Sequence, residues 1–270
     1  MNVQDFYNNE YDEATRLSGN DNRHKVELYR KRYLYKRLIQ DCRPESDNPS
    51  LKIIQIACGT GVHTEWLCEN YPNSMIFASD IIPKHIEQLK SYPNLNKRVW
   101  DCTDDVIPKE YYVSKPDIVL VEGAWYHLTH DQRKKLLENL NKMRPKIIVI
   151  DWLSFFHEVV QQVLRYKKFP DTLCTGGYLR PPFVFDNYKT VKLLENYGYE
   201  VSLYPVDMDI RFGYEDFNKM SEDSFEVFMS LMNSFNCDGN GNYLYDAHNA
   251  YLMNATEHGC YILRRRIWWI

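Results

Sequence analysis

The segment Ile53-Ile54-Gln55-Ile56-Ala57-Cys58-Gly59-Thr60-Gly61 decides the fold that the sequence predicts. Its first half is a short apolar run, which indicates a buried strand, and its second half is a turn with two glycines. A helical pattern begins directly afterwards, at Val62. Glycines at such a turn let the backbone approach a ligand without a Cβ in the way. The following helix offers free N–H groups at its N-terminus, so the segment predicts a ligand site as well as a strand-turn-helix unit.

Outward from this segment, apolar runs alternate with helical patterns. Helices are expected to begin at Pro83, which suits a first helical position, and after Thr129, whose partner Gln132 completes a capping box. The alternation predicts an α/β fold with a Rossmann-like, doubly wound and mostly parallel sheet. Further strands are predicted at Met75–Ser79, Arg98–Trp100, Asp117–Val121, Lys146–Asp151, Glu200–Pro205 and Cys260–Leu263.

The chain is expected to hold one large domain preceded by an N-terminal region. Residues 1–50 are predicted to form an arm and a helix that act as a lid, and residues 51–270 form the ligand-binding domain. Helical insertions are expected at about 153–185 and 207–256, where the alternation is interrupted. Within the lid, residues 25–41 have the spacing of an amphipathic helix. Its apolar face is predicted to consist of Val26, Tyr29, Tyr33, Leu34 and Leu38.

Bulk composition excludes several classes of protein. The net charge of -4 gives no global attraction to nucleic acid or to an anionic membrane. No apolar run reaches the roughly 18 residues of a membrane span, and the polar, acidic start does not resemble a signal peptide. The seven cysteines include no Cys-x-x-Cys pair, so we expect reduced thiols and neither a disulfide framework nor a metal site. A cytoplasmic protein is predicted.

The end of the second predicted strand extends the ligand site. Asp80 lies about 20 residues after the glycine turn, where an acidic side chain accepts hydrogen bonds from ribose hydroxyls. Ligands of open α/β sheets bind at the carboxyl ends of the strands, where the turn and Asp80 both lie. A competing role for Asp80 is to cap the next helix. A dinucleotide fingerprint would need a third glycine at position 64, which is Thr64, so an NAD-dependent oxidoreductase is disfavoured.

Residues 53–61 resemble the first motif of the class I methyltransferases that use S-adenosylmethionine (SAM), and the resemblance extends over about residues 50–152. It implies SAM as the cofactor and methyl transfer as the activity. It places the glycine turn beside the methionine part of SAM, Asp80 on the ribose, and the end of the fourth strand near the sulfonium. The cofactor-binding residues implied in this way are Tyr11, Arg16, Ala57, Cys58, Gly59, Gly61, Asp80, Ile81, Asp101, Cys102, Glu122 and Gly123.

Two positions depart from the motif. The family usually has an acid where this chain has Gln55, and a glycine where it has Ala57. Gln55 supplies no charge for the SAM ammonium, so a non-catalytic SAM-binding protein is an alternative. A general base is needed only where the methyl acceptor must lose a proton. The candidates for that base are His127, Tyr126 and Glu122.

Other roles for these residues remain open. The resemblance places Asp101 and Cys102 beside the adenine amine of SAM. Asp101 also suits a turn in a polar stretch, and the nearby Asp104 is an alternative for the adenine role. A histidine beside a capped helix, such as His127, often makes only structural hydrogen bonds. Cys58 suits the role of a small buried residue. Tyr11 belongs to an aromatic arm that would close over the sulfonium by cation–π contact or simply lie on the surface.

The acceptor is expected to be a small organic molecule. The insertions are rich in aromatic residues, which suit an apolar or aromatic acceptor but equally suit packing within the protein. The alternative is an RNA methyltransferase that uses the basic helix 23–37, which has seven Lys or Arg in fifteen residues. More often such a run is the solvated face of an amphipathic helix. A small-molecule acceptor is therefore preferred, and no membrane partner is expected.

Overall fold

The computed structural model describes residues 22–113, 115–153, 173–175, 178–180, 187–207 and 258–265. Most of both predicted insertions and the arm before Asn22 lie outside these residues. In the first insertion the described residues form two short antiparallel strands rather than a helix.

The strands are β1 (Lys52–Ile56), β2 (Met75–Asp80), β3 (Leu95–Val99), β4 (Ile118–Val121), β5 (Ile147–Leu153), β8 (Tyr199–Asp207) and β9 (His258–Arg265), with the separate pair β6 (Leu173–Thr175) and β7 (Tyr178–Arg180). The first seven form one sheet with the order β3-β2-β1-β4-β5-β9-β8. Within this sheet, β9 runs antiparallel to its neighbours β5 and β8, and the other pairs are parallel. The strand order reverses between β1 and β4, and in such sheets ligands bind outside the carboxyl ends of the strands at this point.

Helices connect the parallel strands, as the alternating pattern predicts. Pro83 occupies the first turn of its helix, and Thr129 forms the predicted capping box with Gln132. No helix in the described ranges is long and apolar enough to cross a membrane. The helices are α1 (Asn22–Cys42), α2 (Val62–Asn70), α3 (Pro83–Gln88), α4 (Lys109–Tyr112), α5 (His130–Met143) and α6 (Asn187–Asn196), together with a 3₁₀ turn at Trp125–His127.

The third strand differs most from its prediction. It covers Leu95–Val99, whereas the sequence pattern predicted Arg98–Trp100. β3 is an edge strand that pairs only with β2, and three of its five side chains, those of Asn96, Arg98 and Val99, are exposed. A strand at an edge has no need of a continuous apolar run, so hydrophobicity alone misplaces it.

Each face of the sheet is covered by its own apolar core. On one face, Ile54 and Val119 contact Trp125 and the buried side of α5. On the other face, Ile53 and Leu120 contact α1 and α2. The carboxyl ends of β1 and β4 therefore lie between two packed layers.

Helix α1 packs directly on the sheet. Its buried apolar side chains are Leu34, Tyr35, Leu38 and Ile39. The predictions for Leu34 and Leu38 are confirmed, whereas those for Tyr29 and Tyr33 are wrong, because these side chains are 70% and 54% exposed. The buried stripe also includes a lysine, Lys31, which periodicity of apolar residues does not detect.

Lys31 joins α1 to the sheet through a buried ion pair. Its Nζ lies 2.5 Å from Asp151 Oδ2 on β5, and both side chains are buried. A buried pair adds little net stability, but removing one partner leaves a buried charge without compensation. The pair therefore specifies where α1 docks.

We expect Lys31→Met to lower the free energy of unfolding by about 3–5 kcal/mol, because Asp151 would keep its charge in a buried position. Lys36→Met is the matched control, since Lys36 lies on the same helix and is exposed. It should change stability by no more than about 0.5 kcal/mol. Urea unfolding of both variants measures the difference. Equal effects at the two positions would show that the ion pair does not hold α1.

Candidate functional site

The turn after β1 has an unusual backbone. Ala57, Gly59 and Gly61 have φ values of 56°, 55° and 89°, all in the left-handed region. Glycine adopts this region without a steric penalty, whereas for an L-residue it costs roughly 1–2 kcal/mol. The conformation gives a physical reason why a glycine is usual where this chain has Ala57.

Gly61 is required for a reason beyond ligand approach. It precedes the first residue of α2, and a Cβ added to it would lie 1.8 Å from Leu89 Cδ2. A side chain at this position would therefore displace Leu89 as well as strain the turn. The sequence pattern indicates only the free approach of a ligand, and the close contact with Leu89 depends on the tertiary structure.

Asp80 holds the glycine turn from the neighbouring strand. Its Oδ2 accepts a 2.8 Å hydrogen bond from the Gly59 N–H, and its Oδ1 accepts one of 2.9 Å from the Ile82 N–H. His85 Nδ1 lies 3.3 Å from the same Oδ1. The carboxylate is buried and links the turn to the start of α3. Asp80 thus has a structural role, and Ile81 beside it is 40% exposed.

The loop after β3 is a tight polar turn. Asp101 Oδ1 accepts hydrogen bonds from the backbone N–H and the hydroxyl of Thr103, at 2.8 and 2.7 Å. Asn139 of α5 is fully buried and donates to the carbonyls of Cys102 and Asp104, both at 2.9 Å. Burial raises the pKa of the Cys102 thiol to about 12, so it stays protonated. Asp101 therefore stabilises the turn, as one of its two predicted roles requires, and Asn139 on α5 holds the loop in position.

The segment after β4 contains a left-handed glycine followed by a short helical turn. Gly123 has a φ of 65°, and a 3₁₀ turn follows at Trp125–His127. Arg133 of α5 fixes this turn, because its Nε donates to the Trp125 carbonyl at 3.0 Å and its guanidinium lies 4.9 Å from the Trp125 ring. The His127 side chain is partly buried, and the Tyr126 side chain lies outside the described atoms.

A row of buried polar side chains, here called the polar layer, lies where the parallel strands β1, β4 and β5 end and the antiparallel strand β9 begins. Its centre is Glu122, whose Oε1 accepts from the Tyr35 hydroxyl at 2.5 Å and whose Oε2 accepts from the Gln55 amide at 2.6 Å. The Gln55 carbonyl accepts in turn from the Thr64 hydroxyl at 2.5 Å. These bonds connect β1, β4, α1 and α2 at a single point.

Farther along the sheet, the polar layer continues to β5 and β9. Asp151 pairs with Lys31 and accepts a hydrogen bond from the Cys260 thiol at 3.2 Å. Burial raises the pKa of Glu122 to about 7, and the charge of Asp151 adds to this effect, whereas Lys31 and the bonds from Tyr35 and Gln55 lower it. Glu122 therefore exchanges a proton in the neutral range.

The structure brings most of the sequence-predicted site residues to one edge of the sheet. Ala57, Gly59, Asp80 and Glu122 follow or end β1, β2 and β4, and Asp101 follows β3. Cys58 is a small buried residue beside Ala78, Ile86 and Leu89. Tyr11 and Arg16 lie outside the described residues.

Sequence reasoning missed five residues of the polar layer, namely Lys31, Tyr35, Thr64, Asp151 and Cys260. Lys31 and Tyr35 are four residues apart, so they share one face of α1. A polar pair within a buried helical stripe is the signal that would have identified them. Thr64 and Asp151 carry no comparable pattern.

Sequence comparison finds one similar stretch in a curated relative. Over 106 residues the chain is 27% identical to the malonyl-(acyl-carrier protein) O-methyltransferase of Priestia megaterium. The stretch covers 38% of this chain and 38% of that protein. No family model matches the sequence.

Comparison with solved structures gives matches over most of the chain. The plantazolicin methyltransferase BpumL, solved in complex with S-adenosylhomocysteine (SAH), matches with a TM-score of 0.53 and 14% identity, covering 97% of this chain and 93% of that one. The magnesium protoporphyrin IX methyltransferase of Synechocystis PCC 6803, with bound SAH, matches with a TM-score of 0.51 and 15% identity over 74% of this chain and 89% of that one. The chain has the class I methyltransferase fold. The predicted Rossmann-like, mostly parallel sheet is confirmed. In this chain the antiparallel strand of the sheet is β9.

Replacing Ala57 with glycine should stabilise the chain by about 1 kcal/mol, because the left-handed backbone would no longer strain a Cβ. Ala124→Gly is the matched control, since Ala124 has an ordinary φ of -87° and the change there should destabilise by about 0.5–1 kcal/mol. Chemical denaturation of the two variants gives both values. A loss of stability in Ala57→Gly would contradict the assigned strain.

Glu122→Gln should change the pH dependence of stability. The pKa of Glu122 is raised from 4.5 to about 7 on folding, so its contribution is fully present below pH 4.5 and is lost as the pH rises through 7. Glutamine mimics the protonated form at every pH. The variant should match wild type in acid and exceed its free energy of unfolding by on the order of 3 kcal/mol above pH 7. A constant difference between the two curves would exclude this titration.

Proposed function

We propose that this chain transfers the methyl group of SAM to a small organic acceptor. The observation that carries the proposal is the left-handed glycine turn, held by Asp80 at the point where the strand order reverses. The class I methyltransferase fold supports it, because the turn occupies the position in which that fold binds its cofactor.

Two features of the turn fit a cofactor without phosphate. Thr64 stands where a dinucleotide site needs its third glycine, and its side chain is fully buried and bonded to Gln55. The remaining acceptor capacity of Asp80 suits ribose hydroxyls, since a carboxylate offers about four lone-pair sites. The exposed Ile81 side chain next to it suits the apolar face of an adenine. Asp101 and Cys102 would bind the adenine edge, in a loop that Asn139 holds in place.

The cofactor would supply an electrophilic methyl group, and the chain supplies alignment. The left-handed backbone at Ala57, Gly59 and Gly61 and the small Cys58 side chain would let the amino-acid part lie close against the turn, and Gly123 would let the backbone approach the reacting centre. In-line alignment and exclusion of water supply much of the rate enhancement in such displacements.

A general base is needed only for an acceptor that must lose a proton. Tyr35 and Gln55 hold the Glu122 carboxylate within the buried polar layer, so we do not assign it the role of base toward an acceptor. We therefore assign this role to His127, with Tyr126 as the second candidate. Histidine side chains exchange protons near neutral pH.

A small acceptor fits the structure better than RNA does. Two basic residues of the helix 23–37, which would form the RNA-binding face, make contacts within the protein instead. Lys31 is buried against Asp151, and Arg32 lies 5.7 Å from the Trp66 ring and donates to the Val62 carbonyl at 3.4 Å. The similar proteins named above act on different acceptors, and the proposal of a small organic acceptor depends on the aromatic insertions.

SAH should raise the melting temperature, whereas NAD should not. A ligand at 100 times its Kd stabilises by about 2.7 kcal/mol, which corresponds to roughly 5–10 °C for a chain of this size. Thermal unfolding with each compound measures the shift. A shift with NAD and none with SAH would contradict the proposed cofactor.

The same measurement locates the site. Asp80→Asn should reduce the SAH shift, because a charged acceptor for the ribose is lost. Asp105→Asn is the matched control, since Asp105 is exposed and pairs with Lys135 on the surface. If both variants keep the wild-type shift, the cofactor does not bind at Asp80.

A further inference from the structure

The polar layer has an imbalance of charge. Among the side chains that the structure describes there, it contains two carboxylates, Glu122 and Asp151, and one ammonium, Lys31. Lys31 is directly paired with Asp151 at 2.5 Å. Glu122 accepts its hydrogen bonds from two neutral donors, Tyr35 and Gln55. A second buried carboxylate beside a single ammonium is costly, and a ligand that brings a positive charge would offset this cost by pairing with the ionised form of Glu122.

The hydrogen bonds also fix how Glu122 is presented. An ionised carboxylate only accepts hydrogen bonds, so the side-chain amide of Gln55 must point its N–H toward Glu122, and its carbonyl accepts from the Thr64 hydroxyl. Tyr35 holds the other carboxylate oxygen from α1. Both oxygens keep further lone pairs, which a primary ammonium with its three donors can use.

We propose that the Glu122 carboxylate binds the primary ammonium at the amino-acid end of SAM, in the role that an acid at position 55 would otherwise fill. This inference rests on the proposed function. The Gln55 amide and the Glu122 carboxylate are in direct contact at 2.6 Å. The negative charge of Glu122 therefore lies one hydrogen bond away from the position of the usual acid. The chain thereby keeps a cofactor-binding charge although its first motif lacks one.

The spacing of the strands agrees with this assignment. Asp80 ends β2, the glycine turn follows β1, and Glu122 follows β4, with its N–H bonded to the Ile56 carbonyl at 3.0 Å. β2 and β4 flank β1, so Asp80 and Glu122 are two strand spacings apart, about 10 Å. A cofactor with its ribose at Asp80 and its chain across the glycine turn would place its amino-acid end on the side of Glu122.

The test compares SAH with 5′-methylthioadenosine, a neutral thioether that keeps the adenosine and lacks the amino-acid end. Titration calorimetry should show that Glu122→Gln weakens SAH binding by about 10- to 100-fold, which is the usual effect of losing a charged hydrogen bond. Binding of 5′-methylthioadenosine should stay within about twofold of wild type, because it makes no contact with Glu122.

A double variant that combines Gln55→Glu with Glu122→Gln returns the charge to position 55 and preserves the bonds from Thr64 and Tyr35. The carboxylate introduced at position 55 would accept from Thr64 and from the new amide at position 122, whose carbonyl would accept from Tyr35. We expect this variant to recover the preference for SAH over 5′-methylthioadenosine. It also keeps the inference testable if the single variant does not fold.

The outcomes separate the inference from the proposed function. Equal weakening of both ligands by Glu122→Gln, or no weakening of either, would overturn the role of Glu122. Equal binding of both ligands to wild type would do the same while leaving the adenosine site intact. If wild type binds neither ligand, the proposed cofactor is wrong, and the inference is wrong with it.

Discussion

The hydrogen bond from the Gly59 N–H to Asp80 joins the glycine turn to the neighbouring strand, and the geometry of the site depends on it. Three residues of the turn have left-handed φ values, including Ala57, which is strained there. Such a turn persists only where surrounding contacts hold it. Asp80 provides that constraint from β2, and its second oxygen extends the same constraint to the start of α3 through Ile82.

The second half of the site depends on helix α1, which supplies Lys31 and Tyr35 to the polar layer. A misplaced helix would leave these buried groups without partners, so the polar layer selects one position for α1 on an otherwise apolar surface. Since Tyr35 contacts Glu122, the position of the helix and the electrostatics of the site are coupled. The side chain of Gln55 is fully buried, accepts a hydrogen bond from Thr64 and donates one to Glu122. A carboxylate at position 55 would place two negative charges in contact, which burial strongly disfavours, so glutamine at 55 and glutamate at 122 are mutually compatible.

Some elements could be predicted because their signals are local. The strand before Ala57, the first turn at Pro83 and the capping box of Thr129 each involve residues close in sequence. The edge strand Leu95–Val99 was misplaced because its exposed side chains lack an apolar pattern. Tyr29 and Tyr33 were wrongly assigned to the buried face of α1. The spacing of apolar residues indicates that a helix has a buried face, but it does not decide which of two adjacent residues lies on that face.

The sequence by itself determined the parallel α/β fold, the glycine turn and the acid at its side, since periodicity and glycine placement act over a few residues. Only the tertiary structure decided what surrounds Glu122. Its partners Tyr35 and Gln55 are 87 and 67 residues away, and Lys31 and Asp151 are separated by 120 residues. Contacts between residues so far apart in sequence exist only when the helices pack on the sheet, so no local pattern indicates them.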